Sequence, residues 1–471
     1  MPVVSLVFAG FCALVLILYY VLPLRAQNIL LLAASYVFYA SLSWTFALVL
    51  LVVTGADYTL GHRVGAGRPH RRGWLMLGIL FNLAVLLFFK FARFFVPDMI
   101  RLLSSLGLPL EGLKILLPVG LSFYSLQAIS YLVDVSRKQA VPADNIIDFA
   151  LAMAYFPKLV AGPIERFRDF IPALSRPRVV DTTVLSRSLT LLVIGLVRKV
   201  VVADTLLTAI PGRLYTHPGQ FSAAELVIWT AAFFMGLYND FAGYTEIVRG
   251  VSGFFGIELS RNFAFPLFSR NLTEFWNRWH ITLSSWLRDY IYFPVSRALA
   301  RRNLSRFNVA NLLLPPIVTM LASGLWHGTG WNFLMWGALM GLALAAERLP
   351  SLWRPVVAPE KRPAWRRYLA TAALMVCSLP VAFLFKASVP ATLVIWGRVA
   401  TWTGSAIPDS RVFLVAIPAL WIDWVQYRRK SEWAFLAWPR LAKAAVLAAA
   451  VLAVFLFSRA QINEPFIYQG F

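Results

Sequence analysis

Residues 3–22 read VVSLVFAGFCALVLILYYVL, a stretch with no charged side chain. At 1.5 Å of rise per residue, a helix of this length is about 30 Å long, the thickness of the hydrocarbon core of a bilayer. No basic segment precedes it and no small-residue cleavage site follows it. It is therefore expected to be a retained first helix rather than a signal peptide. Working outward, apolar runs recur at 28–43, 44–60, 74–95, 116–133, 146–160, 189–210, 224–241, 309–325, 331–346, 368–384, 411–424 and 441–457. A shorter apolar piece lies near 392–402, and the runs 116–133 and 146–160 are interrupted by Pro, Gly or polar residues.

Composition agrees with this pattern. Of 471 residues, 59% are hydrophobic and 14% charged, and the mean hydropathy is +0.68. Soluble domains carry about 25% charged residues and about 45–50% apolar ones, so disordered chains, fibrous chains and ordinary soluble enzymes are excluded. The expected fold class is an all-α polytopic membrane protein, forming one domain over residues 1–471. Cys12 and Cys377 both lie in apolar stretches, with no CxxC or metal-ligand spacing, and read as packing residues.

The net charge is +22, from 44 basic and 22 acidic residues, and Arg outnumbers Lys 35 to nine. The basic clusters fall at 62–73, 166–178, 261–306, 348–367 and 428–443. All five reach the cytoplasmic side if the N-terminus starts outside and 146–160 and 392–402 dip in without crossing. The last span then returns the C-terminus to the outside. This parity makes the positive-inside rule and attraction to the anionic leaflet the better account of the charge than a nucleic-acid surface. No internal repeat of 20–50 residues and no evident inverted repeat supports a solenoid or a secondary transporter.

Five histidines occur. His62 and His70 lie in an arginine-rich loop and His217 in a turn. His327 differs, because it lies in LWHGTGW (325–331) between two apolar spans expected to hairpin together. An ionisable side chain near membrane depth usually lines an interior cavity and marks function; a capping or packing histidine is the alternative. Gly324, Gly328 and Gly330 are expected to let the backbone break from helix and approach a ligand closely. His280 ends FWNRWH (275–280), inside a basic, Trp- and Tyr-rich stretch at 249–307 that holds no clean apolar run of 18 residues. Such a stretch suits the membrane interface, where an incidental histidine is equally natural. There is no metal-ligand cluster, no GxxxxGK[ST] phosphate loop and no GxSxG elbow. What remains is a buried histidine base with polar helpers and no bound cofactor. That arrangement suits activating a hydroxyl toward an acyl group that arrives on its own carrier.

The segment RNLTEFWNRWHITLSSWLRDYIYFP (270–294) resembles the signature of the membrane-bound O-acyltransferase (MBOAT) family, and GLWHG (324–328) followed by Trp331 is similar to its catalytic-histidine motif. LPVGLSFY (117–124), GPIER (162–166), RKVVVAD (198–204), YNDFAGY (238–244) and EPFIY (464–468) extend the resemblance, in order, over nearly the whole chain. Within the family the chain looks most like the bacterial polysaccharide branch typified by alginate O-acetyltransferases, which also includes the D-alanylation enzymes of teichoic acid. One departure stands out. Asn239, Ala242 and Glu246 occupy positions where that branch more often has Phe, Ser and Asp, a change expected to bear on the acceptor side more than on the chemistry.

The resemblance implies a ring of about ten to twelve transmembrane helices, with re-entrant and interfacial helices around a central tunnel. The core motifs fall in 114–347 and C-terminal helices in 368–471. It implies that His327 is the catalytic histidine near the middle of that tunnel and His280 the second motif histidine on the cytoplasmic side. Trp276, Asn277, Arg278, Arg288, Asp289 and Trp326 are the implied donor- and substrate-binding residues. Arg278 and Arg288 would meet the phosphates of acetyl-CoA or an acidic carrier protein, with simple leaflet binding as the alternative. No metal or bound cofactor is implied, the acyl thioester being a substrate. Neutral His327 would take the proton of the attacking hydroxyl. The expected acceptor is a cell-surface or exported polysaccharide, reached through an extracytoplasmic partner protein from the bacterial inner membrane. A teichoic-acid D-alanyl transferase, disfavoured by the Arg-rich composition, and a non-enzymatic transporter or flippase are the competing readings.

Overall fold

A computed structural model describes residues 1–65, 67–105, 116–302, 309–352 and 364–458. Every regular element among them is helical, as expected where hydrocarbon leaves backbone groups no partner but each other. The chain forms two compact units, 1–188 with 248–260, and 189–247 with 261–471.

The first unit contains α1 (Leu6–Tyr19), α2 (Leu24–Ala40), α3 (Trp44–Val64), α4 (Arg71–Ser105), α5 (Leu121–Ser136), α6 (Ile146–Ala154), α7 (Phe156–Leu159) and α8 (Phe167–Leu174). Ser5 starts α1 by accepting the Phe8 N–H at 3.1 Å, satisfying one of the free donors of the first turn. Phe8 of α1 meets Phe38 of α2 at 5.7 Å and Phe156 of α7 at 6.1 Å between ring centroids, tying three elements together edge to face. With nine and four residues, α6 and α7 are each too short to cross a bilayer, and both are largely buried. Gly120 caps the start of α5 in the left-handed region at φ 84°, where a Cβ would strike the Leu159 carbonyl. Glu165 accepts from the Ser260 N–H at 2.6 Å and the Ser260 hydroxyl at 2.8 Å, tying the GPIER stretch to the end of the unit.

The second unit begins within α9 (Thr182–Leu196). It continues through a π-helical segment (Val197–Ala203), α10 (Asp204–Ala209) and most of α11 (Ala223–Phe254). Then come α12 (Leu272–Arg278), α13 (Ile281–Leu287), α14 (Phe293–Arg302), α15 (Val309–His327), α16 (Trp331–Arg348), α17 (Ala364–Ala382), α18 (Val389–Ala400), α19 (Ile417–Arg429) and α20 (Arg440–Ser458). The run 189–210, read from sequence as one span, is divided by the π-helical segment, which carries Arg198 and Lys199. The run 411–424 opens as a 3₁₀ stretch before α19.

Among the described residues, α3, Arg71–Ala92 of α4, α15 and α20 are long and apolar enough to cross a membrane. Leu6–Tyr19, Leu369–Phe385 and Val389–Ala400 are apolar but shorter. The protein is therefore an all-helical membrane protein. The EPFIY stretch (464–468) and the basic residues Arg354, Lys361 and Arg362 lie outside the described residues.

Candidate active site

The site is built on the hairpin of α15 and α16. Gly324 and Gly337 lie where the two helices touch: a Cβ on Gly324 would collide with the Phe333 carbonyl oxygen, and one on Gly337 with that of Met320. Small residues that let helix backbones approach this closely are the usual glue of helices in lipid. This corrects the expectation that Gly324 breaks the helix. The α-helix runs through it to His327, and the glycine is there to bring the helices together.

His327 is the last residue of α15 and is 7% exposed. Three rings surround its imidazole edge-on: Trp326 at 5.0 Å, Trp336 at 5.4 Å and Phe385 at 5.0 Å between centroids. Beside it lies a cavity whose walls include Phe234, Trp276, Trp279, His327, Trp336 and Phe385. Phe233, Phe275, Ser378 and apolar side chains such as Leu237 and Met340 complete the lining, so the wall is mostly apolar.

His280 sits between α12 and α13. It caps α13 in the left-handed region (φ 41°, ψ 55°), which a residue with a Cβ enters only when its surroundings hold it there. The Ile281 N–H donates to the Asn262 carbonyl at 2.8 Å, and the Thr282 hydroxyl donates to Asn262 Oδ1 at 2.7 Å. These two bonds pin the backbone on the C-terminal side of His280. The imidazole is fully buried, edge-on to Phe241 at 4.7 Å and to Trp326 at 6.1 Å. Burial pushes its pKa down to about 3, so it is neutral at physiological pH. The Trp326 indole thus makes ring contacts with both motif histidines.

Of the other residues singled out from sequence, Trp276 joins this group, with its ring 5.9 Å from Trp336. The remaining four do not line the cavity. Asn277 is exposed. Arg278 donates to Glu274 at 2.5 Å and lies over the Tyr427 ring at 5.5 Å. Glu274 also receives Arg270 Nε at 2.7 Å. Burial pushes the Glu274 carboxyl up, but its bonds to Arg270 and the charge of Arg278 outweigh this and hold it below the usual range. Arg278 is thus engaged in fixing α12, a role legible in the i, i+4 spacing of Arg270, Glu274 and Arg278. Arg288 pairs with its neighbour Asp289 at 3.1 Å and stays half exposed.

A second polar centre, which sequence reasoning did not assemble, surrounds Arg198. Its guanidinium meets Asp423 at 2.5 Å, Glu246 at 3.0 Å and Asn239 at 3.1 Å, and the other Asp423 oxygen accepts the Tyr238 hydroxyl at 2.7 Å. Next to it, Lys199 pairs with Asp204 at 2.6 Å and Asp240 at 2.7 Å. The RKVVVAD and YNDFAGY stretches were visible as motifs, but Asp423 lies 225 positions from Arg198 and nothing local links them. Asn239 and Glu246, two of the three departures from the branch pattern, both touch Arg198. Among the described residues, no three His, Cys, Asp or Glu side chains converge as metal ligands do.

The profile of the MBOAT, membrane-bound O-acyltransferase family, matches residues 122–385, which include both histidines. A probable alginate O-acetylase of Azotobacter vinelandii is 38% identical over 343 residues, covering 72% of this chain and 66% of that protein. One from Pseudomonas aeruginosa is 39% identical over 336 residues, covering 70% and 62%. A peptidoglycan O-acetyltransferase of Helicobacter pylori is 30% identical over 369 residues, covering 70% and 67%. The chain thus spans about two thirds of the length of these curated relatives. With more than half of its length matched, it belongs to the membrane-bound O-acyltransferase family.

Proposed function

We propose that this protein is an O-acyltransferase of the bacterial inner membrane. It takes an acetyl group from a thioester donor on the cytoplasmic side and passes it toward hydroxyls of a cell-surface or exported polysaccharide. The observation that carries the reading is His327, an imidazole seated against an aromatic-walled cavity at the end of a membrane-length helix. Relatives described as alginate and peptidoglycan O-acetyltransferases support an acetyl group and a glycan acceptor.

In this reading the acceptor hydroxyl gives its proton to neutral His327 as its oxygen attacks the thioester carbonyl carbon. The C–S bond then breaks, and the thiolate takes the proton back from the imidazolium. Acetyl ester and free thiol are the products, and no cofactor or metal is consumed. His280, held neutral and in ring contact with Trp326, supports the same site from the basic side. The acceptor oxygen belongs to the polymer or to an extracytoplasmic partner protein that relays the group. A ring of ten to twelve helices around a through-membrane tunnel, with both termini outside, is part of this proposal.

The test is reconstitution of the chain and of His327→Ala in vesicles supplied with acetyl-labelled coenzyme A on one face. Label leaving coenzyme A with the wild type, and remaining on it with the variant, supports the reading. Full-rate transfer by a folded His327→Ala protein removes His327 from the chemistry. Transport of an intact solute without acyl transfer would replace the enzyme by a transporter.

A further inference from the structure

The cavity beside His327 offers few polar groups. Besides the imidazole, its described lining contains the Ser378 hydroxyl and the indole N–H groups of Trp276, Trp279 and Trp336. Ser378 already donates its hydrogen to the Met375 carbonyl at 2.9 Å. Trp276 Nε1 is buried and has no acceptor among the described residues. A buried donor left without an acceptor costs about as much as a lost hydrogen bond and is a common mark of a position that a ligand completes. The ring itself is held firmly, edge-on to Phe275 at 5.3 Å and to Trp336 at 5.9 Å, and Trp336 in turn faces His327 at 5.4 Å.

We infer that the Trp276 N–H is the hydrogen-bond donor to the carbonyl oxygen of the acyl thioester, and that it stabilises the oxyanion formed on that oxygen. The inference rests on the acyl-transfer reading and supplies what that reading lacks, an electrophilic partner to the His327 base. When the hydroxyl oxygen attacks, the carbonyl π pair moves onto the oxygen. That charge must be met by a donor already in place, because an apolar cavity holds no water to supply one. When the pair returns and the C–S bond breaks, the indole keeps its own proton. Trp276 therefore acts by hydrogen bonding alone, and protons move only between the hydroxyl, His327 and the leaving thiolate.

Two inert probes isolate this bond. S-acetonyl-coenzyme A carries a ketone near the thioether sulfur, and S-methallyl-coenzyme A carries a CH₂ where that ketone has its oxygen. The detergent-purified full chain should bind the ketone about tenfold more tightly than the alkene, the typical worth of one buried hydrogen bond. Trp276→Phe, which keeps an aromatic ring but loses the N–H, should bind both equally, and Trp276→His should restore part of the preference. The transfer rate of Trp276→Phe should fall about 100-fold with little change in the donor KM, as for loss of one oxyanion donor. If the Phe variant does not fold, ¹⁵N-tryptophan-labelled wild type gives the same answer: one indole N–H resonance must move with the ketone and stay with the alkene. Equal binding of the two probes by the wild type, or an undiminished preference in Trp276→Phe, overturns the assignment while leaving acyl transfer intact. Failure of the wild type to bind either probe overturns the coenzyme A thioester reading and this assignment with it.

Discussion

Arg198 and His327 are both buried in the second unit, yet their neighbours differ in kind. Arg198 is surrounded by oxygen: two carboxylates and an amide reach its guanidinium, and Lys199 beside it holds two more carboxylates. His327 is ringed by aromatic side chains, Trp326, Trp336 and Phe385, with a cavity alongside. In a low-dielectric interior, a charge met on every side is a structural tie, because breaking it strands the partner. The His327 imidazole instead lies beside a cavity, where a substrate group can reach it. Burial alone therefore does not separate structure from chemistry. The kind of neighbour that a buried polar group meets does.

The sharpest way to break this contrast is to remove the guanidinium. Arg198→Met leaves Asp423 and Glu246 buried without their cation, and should destabilise the protein by about 3–5 kcal/mol. Thermal unfolding in detergent would read this as a large loss of Tm or of folded yield. Adding Asp423→Leu should recover much of the loss, because the couple is then removed together. A fully stable Arg198→Met would show that the cluster is not a structural tie, and the comparison with His327 would fail. On the other side, His327→Ala should leave Tm nearly unchanged while lowering acetyl transfer about 10³-fold, within the range for loss of a general base. A His327 variant that unfolds would place the imidazole in the same class as Arg198.

The hairpin geometry itself is tested by Gly337→Ala. Its methyl would press on the Met320 carbonyl, and overpacking of this kind costs about 1–3 kcal/mol. Because α15 carries His327 at its end, activity should fall further than stability alone explains. A variant with wild-type stability and rate would mean that the close approach of α15 and α16 is not needed to place His327.

How far all this was legible in the sequence follows from the range of each interaction. Helix positions were close to readable, since apolar runs such as 44–60 and 441–457 are local signals, and they recur as α3 and α20. His327 stood out because one ionisable residue between two apolar spans is a local anomaly. The role of Gly324 was misread because glycine permits both a broken helix and a close contact, and only the position of Phe333 across the hairpin decides between them. Arg278 looked available for a ligand until Glu274, one turn before it, was seen to hold it. The Arg198 cluster was invisible as a cluster because its carboxylates come from α11 and α19, which no periodicity connects.

His280 offers a pH test between the two classes. Its folded pKa lies near 3, below the ordinary value of about 6.5, because burial disfavours the charged imidazole. Above pH 6.5 both folded and unfolded chains are neutral at this position, and it makes no difference to stability. As pH falls from 6.5 toward 3, the unfolded chain takes up a proton that the folded chain refuses. Stability should therefore drop by up to about 1.4 kcal/mol per pH unit from this group. His280→Gln should flatten the decline of Tm between pH 6.5 and 4.5. An equally steep decline in the variant would mean that the imidazole is not kept neutral by burial.

The smallest effect on folding is expected at Arg288. Its pair with Asp289 joins adjacent residues, and the guanidinium is half exposed, so solvent screens it and it holds little stability. Arg288→Gln should leave Tm within the scatter of measurement. If this guanidinium meets the phosphates of the donor, the variant should raise the donor KM several-fold at low salt and leave kcat alone. The difference between wild type and variant should then fade as ionic strength rises, because exposed charges separated by more than about 10 Å are screened at 0.1 M salt. A KM that does not respond to the substitution, or a difference that persists at high salt, would move Arg288 from the donor to the lipid leaflet. The exposed cation would then stand as a third class beside Arg198 and His327, a charge whose partner is the membrane surface.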